Sequence, residues 1–266
     1  MLPLFRATCV LLGIWGILSS VQWLADMPHW QDGRALGWDL QRLRRGKLFR
    51  SRRIAILFAP RGLTALAYLQ IIASVALIVL PITFATTALL GCFALTTLLL
   101  ALRAGLDGAD KMVMVVATGA LLQSVGIWSG EQRLFLAGEL WTGGQLTIAY
   151  FASGASKLLL APWRQGEALG AVLGSFTWGH RWAAPIVRNR RITKYLAWTI
   201  MLVELFFPLT LMAPFGWLCA VLVGFLMFHL AIAVTMGLNH YSWAFLAAYP
   251  SVLLVGQWLR SALGLN

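Results

Sequence analysis

Apolar residues along this chain come in long blocks, without the alternation of a strand or the stripe of an amphipathic helix. The blocks are 7–25, 63–81, 82–102, 112–129, 140–160, 195–212, 214–236 and 242–260. A helix needs about 20 apolar residues to cross the hydrocarbon of a bilayer, and these blocks have that length. A membrane barrel would instead show segments of about ten residues with alternating polarity. Pro81 divides the second block from the third, and Pro214 opens the seventh. Proline lacks the N–H that a helix interior requires, so both mark breaks between helices. The pattern predicts an all-α integral membrane protein: a bundle of about eight transmembrane helices, with interfacial helical segments in the inner loops. No repeat or low-complexity linker divides it, so residues 1–266 read as one transmembrane domain. Only Arg6 precedes the first block, which lacks the basic start and short core of a secretory signal and is expected to stay as a span.

Composition agrees. Of 266 residues, 60% are hydrophobic and 11% charged, and the mean hydropathy is +0.78. Intrinsic disorder and an ordinary soluble surface are excluded. The net charge of +12 would suggest nucleic acid in a soluble protein. Here the positive residues lie between apolar blocks, where they set orientation, and no nucleic-acid partner is expected. With the N-terminus outside, the loops 26–62, 103–111, 161–194 and 237–241 face inward and hold 17 Lys and Arg, against three in the outer segments. Both termini are therefore expected to be external. Within the first loop, Arg42, Arg44, Arg45, Lys47, Arg50, Arg52 and Arg53 follow Leu36, Leu40 and Leu43. Residues 42–53 thus read as a basic amphipathic segment lying on anionic lipid of the bilayer. A short helix is expected over 165–175, followed by a Trp-rich interfacial stretch. Cys9, Cys92 and Cys219 stand alone in apolar runs, and no metal-ligand spacing occurs.

Ionisable groups at membrane depth carry a cost and need a reason. Three stand inside blocks: Lys157, Glu204 and His229. Counted from the inner ends of their spans, they lie roughly 5, 13 and 10 Å deep. These depths permit contact, above all between Glu204 and His229. Lys157 is either a snorkelling anchor or a desolvated base. Glu204 and His229 read either as interhelical polar glue or as groups facing a ligand. Tyr150, Gly154 and Lys157 share one helix face, which would form a pocket wall. Asp107 and Asp110 open the fourth block. They suit a helix N-cap, and the alternative is that Asp110 orients a substrate at the inner vestibule.

The run Tyr150-Phe151-Ala152-Ser153-Gly154-Ala155-Ser156-Lys157-Leu158, then Pro162-Trp163 and Gly166, resembles the Y-F-x-x-G-x-x-K-L…W-x-x-G motif of the horizontally transferred transmembrane (HTTM) domain family. That family includes vitamin K-dependent γ-glutamyl carboxylase and many bacterial proteins. Asp107-Gly108-Ala109-Asp110 resembles its D-G-x-D stretch, and Phe228-His229-Leu230 its later intramembrane histidine. The resemblance implies a helical core in which Lys157 is a catalytic base acting with His229, and a reduced quinone as cofactor or substrate. Tyr150, Gly154, Glu204, Asp107 and Asp110 would bind substrate. In the carboxylase branch a histidine soon follows the acidic stretch, whereas here Lys111-Met112-Val113-Met114 follows.

Two functions follow from this reading. One is a membrane enzyme that acts on a lipophilic quinol-type molecule or a small peptide with Lys157 as base. The other is a non-catalytic accessory or immunity-type protein in the export or maturation of a secreted peptide. Both place the chain in a bacterial inner membrane.

Overall fold

A computed structural model of the chain describes residues 2–30, 38, 51–105, 107–176, 179–180 and 183–265. Every regular element among them is helical. In chain order these are α1 (Leu2–Ala25), a 3-10 turn (Met27–Trp30), α2 (Arg52–Phe58), α3 (Pro60–Val79), α4 (Phe84–Ala104) and α5 (Gly108–Ser129). There follow α6 (Gln132–Leu159), α7 (Ala161–Arg164), α8 (Glu167–Gly174), α9 (Ala184–Arg188) and α10 (Arg190–Leu205). The last are α11 (Phe207–Thr210), α12 (Phe215–Met236), α13 (Asn239–Leu246) and α14 (Tyr249–Ala262). Among the described residues, six stretches are long and apolar enough to cross a membrane: α1, α3, α4, α5, α12 and the α13–α14 pair.

The expected fifth and sixth spans lie at α6 and at α10–α11, which fall outside that set. α6 carries Glu139 and Lys157 within its length. The sixth block is cut at Phe206, because Pro208 starts a new helix and donates no hydrogen bond backward. Pro250 likewise divides the eighth block into α13 and α14. The short helix expected over 165–175 is α8, entered through Gly166 at φ +77. The basic segment 42–53 lies largely outside the described residues, as does most of the Trp-rich stretch. Arg103, counted as a loop charge, is fully buried at the end of α4, with its guanidinium over the rings of Trp30 (4.8 Å) and Trp38 (5.3 Å).

The last turn of a helix leaves carbonyls without an intrahelical partner. Arginines supply the missing donors. Arg6 on α1 donates to the carbonyls of Leu77 (3.1 Å), Ile78 and Leu80 (2.5 Å) at the end of α3. Arg164 donates to Leu158 O at the end of α6 (2.7 Å), and Trp198 of α10 donates to Arg164 O (3.0 Å). Starts are capped by side chains: Thr83 and Thr86 form a reciprocal box at α4, and Asn189 caps α10.

α1 packs on α3, α5 and α13, while α6 packs on α5, α10 and α14. The main core draws on α1, α3, α4, α5, α6 and the helices from α11 to α14, with Phe5, Trp15, Phe93, Val116, Leu146 and Phe207 fully buried or nearly so. Glycines set the tightest crossing. A Cβ on Gly138 would lie 2.4 Å from Gly119 O, and one on Gly119 would lie 2.8 Å from Gly138 O. With no hydrophobic drive between helices in lipid, such close backbone approach is what holds them together.

Gly138→Ala is therefore expected to force α5 and α6 apart and cost about 1–3 kcal/mol, the range for overpacking. Gly144→Ala, where a Cβ meets nothing within 4 Å, is expected to be neutral or slightly stabilising. Thermal melts of both variants in detergent check the contrast.

Candidate functional site

The motif face of α6 is the natural place to start. Tyr150, Gly154 and Lys157 lie along it, and each meets a different partner. Gly154 is the crossing point of α6 and α10: a Cβ there would lie 2.5 Å from Leu205 N and 2.8 Å from Met201 O. It faces protein backbone rather than open space. One turn further on, that close approach lets Lys157 reach across to α10. Its Nζ donates to Glu204 Oε1 (2.7 Å) and Oε2 (2.6 Å), and to Ser153 Oγ (2.9 Å). The ammonium also lies 5.3 Å from the centre of the Trp163 ring. The side chains of the pair are 19% and 5% exposed, so the charges are largely withdrawn from solvent.

Tyr150 belongs to a second contact. Its hydroxyl lies 2.8 Å from His229 Nε2 on α12, and the tautomer of the ring decides which atom donates. Phe207 and Phe225 close over the Tyr150 ring at 4.7 and 4.3 Å. His229 stacks on Phe245 at 4.1 Å, and its Nδ1 is buried with no hydrogen-bond partner. Glu204 and His229, whose depths permit contact, take other partners instead. Lys157 takes Glu204 and Tyr150 takes His229, because the partners approach α6 from two different helices.

A groove of about 310 Å³ runs between α10 and α12. Thr199, Ile200, Val203 and Glu204 line one side, and Val221, Gly224, Phe225 and Phe228 the other. The lining is almost wholly apolar, with the Glu204 carboxylate as its ionisable group. A Cβ on Gly224 meets nothing within 4 Å, so this side of α12 has open space. Phe225 lines the groove and also covers Tyr150, which joins the two contacts.

Asp107 and Asp110 stand in a separate cluster at the start of α5. They form the capping box: Asp107 Oδ1 accepts from Asp110 N (2.8 Å), and Asp110 Oδ2 accepts from Asp107 N (3.2 Å). Asp107 Oδ2 also lies 2.9 Å from His240 Nε2, and Tyr241 Oη accepts from Gly108 N (3.1 Å). Burial raises the Asp107 value. The His240 hydrogen bond and the backbone N–H groups of Asp110 and Ala109 outweigh it, so the carboxyl is held below its ordinary 3.8. With Asp26 and Trp30, these residues line a polar cavity of about 200 Å³.

Sequence reading missed two residues. His240 falls in the stretch 237–241 that read as an inner loop with no motif of its own; it lies in the first turn of α13, and only the fold brings it to Asp107. Glu139 directly precedes the fifth apolar block and read as part of an outer segment. α6 begins at Gln132 instead, which places Glu139 two turns inside the helix and 3% exposed.

No family model, curated protein or solved structure matches this chain. The fold alone defines its class. It is an α-helical integral membrane protein that crosses the bilayer several times, with polar side chains paired between its helices.

Asparagine caps a helix about as well as aspartate, whereas alanine loses about 1 kcal/mol. Asp107→Asn is therefore expected to lose only the His240 pairing, and Asp107→Ala to lose the cap as well. Because the folded value of Asp107 is depressed, its contribution is present above pH 3.8 and is lost as pH falls through the lowered value. Between pH 6 and pH 3, the melting temperature of the wild type should fall more than that of Asp107→Asn.

Proposed function

We propose that this chain is an eight-span membrane enzyme of the HTTM type, with α6 and α10–α11 as its fifth and sixth spans. It acts on a lipophilic, quinol-type molecule that enters from the bilayer between α10 and α12. The observation that carries this reading is the position of Glu204, which is paired with Lys157 and also lines an apolar groove. Hydrocarbon fits such walls, and a polar atom of the substrate would find Glu204, with Lys157 paired behind it.

Lys157 is the base in this reading. At 2.6 Å, a proton can pass from Nζ to Glu204 Oε2, giving a neutral amine beside a carboxylic acid. The amine then takes the proton of a substrate hydroxyl, leaving an oxyanion next to the new ammonium. Tyr150 and His229 orient the ring of the substrate through Phe225. The charge bias supports external termini and a bacterial inner membrane, with residues 42–53 on anionic lipid.

A second reading has its own support. Lys157 spends its hydrogen bonds on Ser153 and both oxygens of Glu204. A purely structural pair would do the same, and the chain would then be a non-catalytic accessory or immunity-type protein.

Mass spectrometry of lipid extracts from detergent-purified protein separates the two. The enzyme reading expects a lipophile bound to the wild type and absent from Gly224→Trp, whose indole fills the groove. Turnover of that lipophile should be lost in both Lys157→Ala and Lys157→Arg, because a guanidinium does not give up its proton. Identical extracts from wild type and Gly224→Trp, or full turnover by Lys157→Arg, would refute it.

A further inference from the structure

At the end of α6 remote from Lys157, a second cavity of about 370 Å³ lies between α6 and α14. Its walls are Phe135, Leu136, Leu254 and Trp258, with Glu139 inside and Arg133 also on the lining. Glu139 is 3% exposed, and its Oε2 is buried with no hydrogen-bond partner. None of the ion pairs among the described residues includes it. On the helix faces around it, Gln123, Thr142 and Ser251 are also buried with unspent polar atoms. Gln123 lies against Gly138, the residue next to Glu139.

A withdrawn carboxylate facing a cavity needs either a proton or a cation. Gln123 Nε2, Thr142 Oγ1 and Ser251 Oγ are not spent on Glu139 Oε2, which leaves that oxygen open to a donor from a ligand. The space in front of it is apolar and aromatic, and the indole of Trp258 suits a cation. Arg133, six residues earlier on α6, is exposed, so its guanidinium stays in solvent and does not fill the space.

We infer that this cavity is a binding site for a primary organic ammonium ion with an apolar body, seated with its N–H groups on Glu139 and its body against Phe135 and Trp258. The site is separate from the α10–α12 groove and does not depend on the function proposed for it. Arg133 opposes a bare cation from the mouth of the cavity, and this gives the proposal a second sign to check.

The test uses the full chain in phosphatidylcholine nanodiscs, with empty nanodiscs as the blank. The probe is phenethylamine at pH 7. Phenethyl alcohol has the same body without the charge, and trimethyl-phenethylammonium has the charge without N–H donors. Calorimetric titration should show saturable binding of the amine at least tenfold tighter than either relative. Glu139→Gln should remove that preference, and Arg133→Gln should tighten amine binding several-fold. Leu254→Trp, which fills the cavity and leaves the carboxylate in place, should also abolish binding, so the proposal stays testable if Glu139→Gln fails to fold. No saturable binding above the blank, equal binding of amine and alcohol, or an unchanged preference in Glu139→Gln or Leu254→Trp would overturn it.

Discussion

An ion pair withdrawn from solvent is tolerated only where the protein replaces the water it has lost, and the Lys157–Glu204 pair sets the geometry of α6 and α10 around that requirement. Each charge would cost several kcal/mol if buried alone. The two helices must therefore approach closely enough for the lysine stem to place its ammonium on both carboxylate oxygens. Gly154 makes the approach, and Ser153 supplies a further acceptor. Arg164 and Trp198 then tie the end of α6 to α10, so the crossing is fixed just beyond the pair.

The same shortage of water explains features far from that pair. Arg6 spends its guanidinium on the end of α3, and Arg103 lies between two indoles. Both serve local polar chemistry. Tyr150 and His229 satisfy each other inside an aromatic shell. Glu139 is different, because it has been withdrawn from solvent without an ion-pair partner, and a cavity lies in front of it.

Much of the helical layout was legible in the sequence, because the length of an apolar block is a direct consequence of bilayer thickness. α12 runs from Phe215 to Met236 where the block 214–236 was drawn. Breaks were less legible. Pro208 and Pro250 start new helices inside blocks that read as continuous, since averaged hydropathy does not register a missing N–H. Depth along a helix singled out Lys157, Glu204 and His229, but depth says nothing about which face each presents. The contact that depth permits between Glu204 and His229 therefore gives way to two pairs centred on α6. Glu139 and His240 were missed for a related reason. One sits at the edge of an apolar window, and the other acquires its role from Asp107, 133 residues away.

A double-mutant cycle on Lys157→Met and Glu204→Leu tests the central claim most directly, read as unfolding free energy in detergent or bicelles. Each single change leaves the other charge buried and unpaired, and should cost about 3–5 kcal/mol. The double change removes both charges together and should cost far less than the sum, so the account predicts a large favourable coupling between the two sites. Additive losses, with a coupling near zero, would contradict it and show that Lys157 and Glu204 do not hold α6 and α10 together.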